Sequence, residues 1–513
     1  MGSFDVSFVA ASYAAYIIIP LVLLLGGYRL LFHPLRKYPG PLLARLTNAY
    51  GGYFAIKKRL HLETYQNFQK YGPVVRQAPN RLVFNTATAL HDIYLNPRVV
   101  KGHAYCESQL RAKYPNMINV IDKKEHRRKR KSIGQALTER SMRAFEPTME
   151  GEVDVFLRQL LAASESGSAV NMTDKCQRLG VDVIGLLAFG YRFNTQTDES
   201  FRFMISLIDG ASWRISTYMQ FPLLGGLEGL IAALGLKKAL QFGRTVSAMI
   251  ETRMAQDVKA QHDLYSMVAD DIGKGSQGLY PGELRPEAVL FIIAGGATTA
   301  TTMSAIFFYL AENPECYTKI TDEIRSTFKS ASEIHSGAQL NGCKYLRACL
   351  DETLRIGKPF IVNGHVIPRG TQVAVSMYSI NHNEEYFPDS FTFKPERWLD
   401  PAEGEDTEGG KAARATMRKA FNPFLIGDRA CAGKAMALME ASLTIARTLW
   451  FFDFNIAPGE VGEVGRGKPG RTDGRHRRGE FQLDDIFVAG HRGPNVIFRK
   501  RGDFWKELQE VGS

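Results

Sequence analysis

One loop near the C-terminal end of the sequence, FLIGDRACAG, holds a single cysteine among small residues. Cys431 is flanked by Gly427 and Gly433, and Arg429 adds one cation. Glycine lets a backbone approach a flat group closely, backbone N–H groups can point at a sulfur atom, and an arginine can bind a carboxylate. The pattern therefore predicts a thiolate held against a flat metal cofactor, and not a buried structural cysteine on a turn.

This loop resembles the haem-ligand signature of the cytochrome P-450 family, Phe-x-x-Gly-x-Arg-x-Cys-x-Gly. All five fixed positions are matched, by Phe424, Gly427, Arg429, Cys431 and Gly433. The resemblance implies that Cys431 is the axial ligand of the haem iron and that the other four residues shape the cofactor-binding loop. A thiolate ligand favours cleavage of the O–O bond of bound dioxygen. The implied fold is mainly α with a smaller β-rich portion.

The composition of the chain is that of a large folded protein. Its 513 residues are 45% hydrophobic and 23% charged, which is enough for a sizeable core. A chain of this length could hold about three domains, but no linker rich in Pro, Gly or Ser divides it. We therefore expect one catalytic domain, residues 34–513. The six cysteines form no C-x-x-C pair, which argues against a disulfide framework and indicates a reducing compartment.

Residues 6–25 are almost all apolar or small, and this length is enough to span the hydrocarbon core of a bilayer as a helix. Basic residues follow the apolar run instead of preceding it, which argues against a cleaved signal peptide. We predict a retained membrane anchor, residues 1–33, with the catalytic domain on the cytoplasmic side. The run YPGP at 38–41 resembles the hinge of microsomal family members, which implies a single-pass protein of the endoplasmic reticulum membrane.

The net charge of +11 raises the question of a nucleic-acid partner. The densest basic run is HRRKRK at 126–131, and a second basic stretch covers 466–478. Neither basic run is accompanied by a nucleic-acid-binding motif, so we expect no nucleic-acid partner. Two interpretations of the basic residues stay open: a solvated helix face, or a docking face for an acidic electron donor. The family resemblance implies that His126 and Arg130, four residues apart on one helix face, bind the haem propionates.

An apolar stretch at 287–310 predicts a helix of about six turns with AGGATTATT at its centre. Glycines inside a helix cost about 1 kcal/mol each relative to alanine, so two of them suggest that something approaches the backbone there. The matching family segment is Ala-Gly-x-(Asp/Glu)-Thr-(Thr/Ser), with Ala297 at the acidic position. The resemblance implies a catalytic role in hydrogen bonding and proton delivery for Thr298 and Thr299. A helix of small residues that only packs closely is the alternative.

Three further residues point to a structural cluster. Glu352 and Arg355 are three residues apart and therefore adjacent on a helix surface. The motif FKPERW supplies Arg397 downstream. In the family, a Glu-x-x-Arg pair and a later arginine lock together behind the haem, and the resemblance implies that these three residues do so here and fix the cysteine loop.

The segment between Arg355 and Pro368 is IGKPFIVNGHVI, which is clearly shorter than the family normally carries there. One explanation is a real deletion that leaves the haem loosely held; the other is a gene model that skipped coding sequence at an intron border. We favour the second because the motifs on both sides are intact. The full-length transcript distinguishes the two explanations.

The order of these motifs resembles fungal members of the family that tailor secondary metabolites. It implies a haem-dependent monooxygenase that hydroxylates or epoxidises an apolar small molecule. Its electrons would come from NADPH through a membrane-bound NADPH–cytochrome P-450 reductase. Two alternatives stay open: a non-hydroxylating haem-thiolate enzyme (isomerase, dehydratase or oxidative coupling), which needs less proton delivery and so fits Ala297, and a degenerate member that binds a ligand without turnover.

Overall fold

The computed structural model describes residues 16–110, 112–269, 272, 278–356, 367–401 and 407–510. Within these ranges the protein is mainly helical with three small sheets, which confirms the predicted fold class. The short segment that follows Ile356 and the first part of the predicted anchor lie outside the described residues.

The N-terminal part consists of five helices and one β-hairpin. In chain order these are α1 (Tyr16–Phe32), α2 (Leu42–Leu46), α3 (Ala49–Ile56), α4 (Leu60–Tyr71), β1 (Val74–Ala78), β2 (Arg81–Phe84) and α5 (Ala87–Tyr94).

The middle of the chain is helical with glycine-containing breaks, as its sequence pattern predicts. It contains α6 (Lys123–Ala136), α7 (Glu139–Ser166), β3 (Val170–Asn171), α8 (Met172–Phe189), α9 (Phe203–Gln220), α10 (Glu228–Leu234), α11 (Leu236–Met254) and α12 (Leu264–Val268). Asp122 caps α6 by accepting a hydrogen bond from the Glu125 N–H at 2.9 Å. Gly167 and Gly190 end α7 and α8 in the left-handed conformation, which glycine adopts without steric cost.

The C-terminal part carries the longest helix and most of the strands. Its elements are α13 (Leu284–Glu312), α14 (Pro314–Thr327), α15 (Ala338–Gly342), α16 (Lys344–Ile356), β4 (Gln372–Val375), α17 (Met377–Asn381), α18 (Glu408–Ala420), α19 (Lys434–Phe451), β5 (Phe452–Ile456), β6 (Leu483–Asp485), β7 (Ala489–His491), β8 (Asn495–Lys500) and α20 (Glu507–Glu510).

The sheets join segments that are far apart in the sequence. Strand β2 pairs with β1 in antiparallel and with β4 in parallel orientation. Strand β8 pairs in antiparallel orientation with β3 and β5, and β6 and β7 form a hairpin. A turn precedes β4, with the Thr371 N–H donating to the Pro368 carbonyl at 3.2 Å. These small sheets tie the N-terminal and C-terminal parts to the helical core.

Helix α13 contains the whole predicted stretch 287–310, and most of its second half is buried. Its two central glycines face α8. A Cβ on Gly295 would lie 2.6 Å from the Ile184 side chain, and a Cβ on Gly296 would lie 3.1 Å from the Val181 side chain. On the opposite helix, a Cβ on Gly180 would lie 2.5 Å from the Gly296 carbonyl oxygen. The group that approaches these glycines is therefore helix α8, which corresponds to the close-packing alternative.

Two helices bear on the membrane prediction. Among the described residues, 281–312 is the one helical segment both long and apolar enough to cross a bilayer. It is the core helix α13 with the turn before it, so its apolar character is explained by packing. Helix α1 is a shorter apolar helix, and all its side chains from Tyr16 to Leu25 are exposed.

We expect Gly180→Ala to destabilise the protein, because the added methyl group would overlap the backbone of α13. Overpacking of this kind lowers the free energy of unfolding by about 1–3 kcal/mol. Gly151→Ala is the matched control, since Gly151 is an exposed position within α7 where an added Cβ meets no atom within 4 Å. Thermal unfolding of both variants measures the effect. Equal stability of the two variants would contradict the close contact between α8 and α13.

Candidate functional site

The cysteine loop has a constrained backbone. The Cys431 N–H donates a hydrogen bond to the Phe424 carbonyl at 2.8 Å, which closes the loop. Leu425 and Gly427 have φ angles of +60° and +76°, and a leucine in this region is strained. Gly427 is required, because any Cβ there would collide with the carbonyl oxygen of Tyr94. The strain therefore lies in the segment that presents the thiol.

The thiol of Cys431 is exposed, whereas four of the other five cysteines are buried and Cys106 is exposed. Helix α19 begins three residues after Cys431, so its N-terminal N–H groups and dipole favour a negative charge at the loop. A Cβ on Gly433 would meet no protein atom within 4 Å. Nothing in the described protein requires glycine at that position, so its match to the signature stays a prediction about the cofactor.

Two arginines join the cysteine loop to the helix α6 region. Arg429 donates to the carbonyls of Val120 and Ile121 at 2.9 and 3.0 Å. Arg130 donates in the opposite direction, to the Ala430 carbonyl at 2.6 Å. The structure therefore brings Arg130 and Arg429 together on either side of the same contact, although they are 299 positions apart in the sequence.

A group of cations lies at this contact. Burial, followed by the positive charges of Arg429, Lys101 and Arg130, lowers the pKa of His126 to about 4. Burial and the Arg429 charge lower the pKa of Lys101 to about 7. His126 is therefore neutral at physiological pH. Asp428 is the acid that raises the pKa of His126, and its side chain is exposed at the edge of the group.

The cation group fits a cofactor that bears carboxylates. The positive charges of Arg429, Lys101 and Arg130 lower the pKa of His126, and that of Arg429 lowers the pKa of Lys101, so carboxylates such as the two of a haem would be favoured beside this group. The donor set thus suits the propionates that the resemblance predicts. Sequence reasoning missed Lys101, because it lies in an irregular segment and carries no local pattern; its place emerges only from the fold.

The Glu-x-x-Arg pair and the downstream arginine lie together in the core. Both carboxylate oxygens of Glu352 accept hydrogen bonds from Arg355 at 2.9 Å, and Arg397 donates to one of them at 3.1 Å. Glu352 and Arg355 are fully buried. Trp398, which the sequence did not single out, donates its indole N–H to Glu352 at 2.9 Å.

The indole of Trp398 links this cluster to the cysteine loop. Its ring lies 4.4 Å from the ring of Phe421, measured between centroids, and Phe421 precedes the loop. Phe421 and Ile426 pack against the hydrophobic cluster that contains Met417 and Ala420 of α18. The contacts give a physical path by which the Glu352 cluster can hold the loop, in line with the predicted structural role.

The two threonines of α13 lie on different sides of the helix. Thr298 is half-buried and donates its hydroxyl to the Ala294 carbonyl at 2.7 Å, which leaves its oxygen free to accept. Thr299 is buried and faces Glu440 of α19. Ala297, which lies between the glycine pair and the two threonines, carries no ionisable group. The catalytic role predicted for Thr298 and Thr299 therefore stays a prediction.

The basic run at 126–131 is neither a solvated face nor wholly a docking face. Arg128 and Lys129 are buried and form ion pairs with Glu283 at 2.7 Å, and Lys129 also pairs with Glu287 at 3.0 Å. The prediction that the run is solvated is wrong for these residues, since they connect α6 to the start of α13. The 466–478 stretch is also paired internally; its contacts include Arg466 with Glu312 and Arg475 with Asp484.

Comparison with known proteins gives consistent matches. A protein-family model described as Cytochrome P-450 matches residues 39–464. Cytochrome P-450 monooxygenase AKT7 of Alternaria alternata is 34% identical, over 97% of this chain and 98% of its own length. Cytochrome P-450 monooxygenase poxM of Penicillium oxalicum is 33% identical, over 92% and 91%. Cytochrome P-450 monooxygenase atnE of Emericella nidulans is 31% identical, over 92% and 93%.

We expect Lys101→Met to weaken haem retention. A hydrogen bond to a charged group contributes about 1.5–3 kcal/mol, so the rate of haem loss should rise on the order of tenfold to a hundredfold. Lys124→Met is the matched control, because Lys124 is exposed on α6 and the change in charge is the same. Transfer of haem to excess apomyoglobin measures the rate. Equal rates of haem loss in the two variants would contradict a role for Lys101 in binding the cofactor.

Proposed function

Because the chain belongs to the cytochrome P-450 family, we propose that it hydroxylates or epoxidises an apolar small molecule in fungal secondary metabolism. As a member of this family, the protein is a monooxygenase. Proteins of the family carry haem on a thiolate ligand and use a redox partner and a small-molecule substrate. The observation that carries the proposal is the exposed thiol of Cys431, held in a strained loop beside a group of cations. The fungal relatives support the pathway class.

Haem on a thiolate ligand supplies the activation of dioxygen when it is bound. One oxygen atom enters the product, and the other leaves as water with two protons and two electrons from NADPH. The chain's own residues hold the site: Cys431 provides the ligand, and Lys101, His126, Arg130 and Arg429 meet the carboxylates. The Glu352 cluster keeps the cysteine loop in place. The Thr298 hydroxyl, by rotating away from the Ala294 carbonyl, could donate a hydrogen bond to a group bound beside α13.

The electron donor proposed is an NADPH–cytochrome P-450 reductase with an acidic docking face. Arg127 and Lys131 are exposed on α6, Lys419 is exposed at the end of α18, and Lys434 is exposed at the start of α19. These elements flank the cysteine loop. Exposed charges of one sign around a site steer a partner of opposite charge, so this side of the molecule suits the transfer of electrons toward Cys431.

We also propose that residues 1–33 anchor the protein in the endoplasmic reticulum membrane and that residues 34–513 form the catalytic domain. Exposed apolar side chains along the described part of α1 support this, since a helix of that kind is unfavourable in water. Leu223, Leu227 and Leu230 add a second apolar patch, with 80%, 50% and 67% of their surfaces exposed. The patch and α1 are connected through contacts among α2, α3 and α9, which supports one continuous membrane-facing side.

A second candidate function follows from Ala297. A non-hydroxylating reaction, such as isomerisation, dehydration or oxidative coupling, needs less proton delivery and would tolerate the missing acid. In such a reaction no oxygen atom from dioxygen enters the product, and an isomerisation or a dehydration needs no NADPH.

Turnover in ¹⁸O₂ tests the proposed reaction. The full-length protein, reconstituted with reductase and NADPH, is incubated with an extract of apolar fungal metabolites, and products are analysed by mass spectrometry. We expect new products that carry one labelled oxygen atom and that require both NADPH and reductase. Products that form without NADPH, or that carry no label, would support the non-hydroxylating candidate and contradict the monooxygenase proposal.

Truncation tests the membrane proposal. We expect that deletion of residues 1–33 shifts much of the protein to the soluble fraction and that the remainder is released when Leu223 and Leu230 are replaced by serine. Leu95→Ser is the control, because Leu95 is also exposed but lies next to the cysteine loop at the end of α5. Recovery of the truncated, substituted protein only in detergent would count against this arrangement.

A further inference from the structure

The segment that joins α1 to the rest of the protein is rich in cations and poor in acids. Glu63 is the single Asp or Glu between Asp5 and Asp92, whereas the same interval contains ten Lys and Arg residues. The Glu63 carboxylate already accepts a hydrogen bond from the Tyr50 hydroxyl at 2.6 Å. The cations of this segment therefore have no further acidic partner close in the sequence.

Three arginines from three elements of this segment come together near the end of α1. Arg29 in the last turn of α1 donates from Nη1 to the Leu46 carbonyl at the end of α2, at 2.6 Å. Arg76 of β1 donates from Nη1 to the Arg29 carbonyl at 2.9 Å. Arg45 precedes Leu46 in α2, and its positive charge also acts on Arg76. We call Arg29, Arg45 and Arg76 the arginine cluster.

The positive charge of the arginine cluster is not balanced by the described residues. Arg76 is fully buried, and burial, followed by the charges of Arg45 and Arg29, lowers its pKa to about 10. Arg76 is therefore charged at neutral pH, and no carboxylate of the described residues is among the groups that shift its pKa. The Nε atom of Arg45 is buried and makes no hydrogen bond to the described protein. Buried charges are normally paired, so the cluster requires an anion.

The helix ends beside the cluster offset only part of this charge. The C-terminal end of a helix carries roughly half a negative elementary charge. Two such ends meet the cluster, at the carbonyls of Arg29 and Leu46. They explain how the side chains of Arg29 and Arg76 are held. They do not balance three full charges, and they leave Arg45 Nε without an acceptor.

Exposed apolar side chains flank the arginine cluster in the sequence on both sides. Leu31 and Phe32 at the end of α1 are exposed, and so are Leu42 and Leu43 of α2. They continue the exposed apolar surface of α1, which is unfavourable in water. Phospholipid headgroups lie at the boundary between hydrocarbon and water, where basic side chains reach them from apolar segments. The cluster therefore lies where a membrane presents its phosphate groups.

We propose that Arg29, Arg45 and Arg76 form a binding site for the headgroup of one phospholipid of net negative charge. Guanidinium groups suit this ligand, because they donate paired, charge-assisted hydrogen bonds to phosphate oxygens. A headgroup without an ammonium group, such as that of phosphatidic acid, leaves the phosphate charge available to the cluster. The bound lipid joins α1, α2 and β1 and so holds the catalytic domain at the membrane surface. The site rests on the proposed membrane anchor, since a lipid reaches the cluster only if α1 enters the bilayer.

Binding of single lipids to the purified full-length protein tests the site. Delipidated protein in nonionic detergent is titrated with phosphatidic acid or with phosphatidylcholine, and bound lipid is counted by native mass spectrometry. We expect one molecule of phosphatidic acid to bind saturably. Phosphatidylcholine should bind at least about tenfold more weakly, because its ammonium group offsets the phosphate charge. Equal binding of the two lipids, or no saturable binding of phosphatidic acid, would overturn the proposal.

Two arginine variants separate a defined site from diffuse attraction. Arg45→Gln should weaken the binding of phosphatidic acid by roughly tenfold to a hundredfold, the contribution of a hydrogen bond to a charged group. Arg45 is chosen because Arg76 also holds the backbone carbonyls of Arg29 and Pro79. Arg36→Gln is the matched control, since Arg36 is exposed after α1 and the change in charge is the same. Equal weakening by both variants would indicate diffuse attraction and contradict the site.

Soluble phosphates distinguish a lipid site from a site for a free ligand. We expect that inorganic phosphate and glycerol phosphate, each at the concentration of the lipid, do not displace phosphatidic acid. Displacement by either one would assign the cluster to a soluble phosphate ligand and overturn the lipid proposal.

Membrane fractionation separates this proposal from the proposed anchor. The wild type and Arg45→Gln should both sediment with membranes, because residues 1–33 are unchanged. Absence of the wild type from the membrane fraction would refute the anchor. Membrane binding without a preference for phosphatidic acid would overturn the lipid site alone.

Discussion

The buried carboxylate of Glu352 joins segments that would otherwise be free to move apart. It accepts hydrogen bonds from Arg355 on its own helix and from Arg397, Trp398 and the Lys394 backbone on the segment that leads to the cysteine loop. Removing one partner of a buried ion pair costs about 3–5 kcal/mol, because the other charge stays buried and unpaired. Because Trp398 also contacts Phe421 just before the cysteine loop, we expect the position of Cys431 to depend on this charge cluster.

A second contact of the cysteine loop, with the α6 region, is rich in cationic side chains and has Asp428 at its edge. Arg429 donates hydrogen bonds to the backbone carbonyls just before α6, and Arg130 of α6 donates one to the Ala430 carbonyl of the loop; Lys101 and His126 belong to the same group. The Glu352 cluster is thus paired within the protein, whereas the contact with the α6 region is mainly cationic and suits the carboxylates of the proposed cofactor.

The sequence is most informative where a function depends on neighbouring residues. The cysteine loop, the bounds of α13 and the Glu352–Arg355 spacing are all local patterns, and the structure contains them. Lys101 and Trp398 could not be predicted, because each acquires its place from a contact between distant segments. The glycine pair of α13 shows the same limit: its composition indicated close approach, but only the fold shows that α8 is what approaches.

The most direct test of the account is the reduced carbon-monoxide difference spectrum of the purified full-length protein and its cysteine variants. If Cys431 is the haem ligand, we expect a haem-thiolate spectrum in the wild type and in Cys106→Ala, the variant of the other exposed cysteine. We expect Cys431→Ala to lose this spectrum. A haem-thiolate spectrum retained by Cys431→Ala would contradict the assignment of the ligand and with it the proposed site.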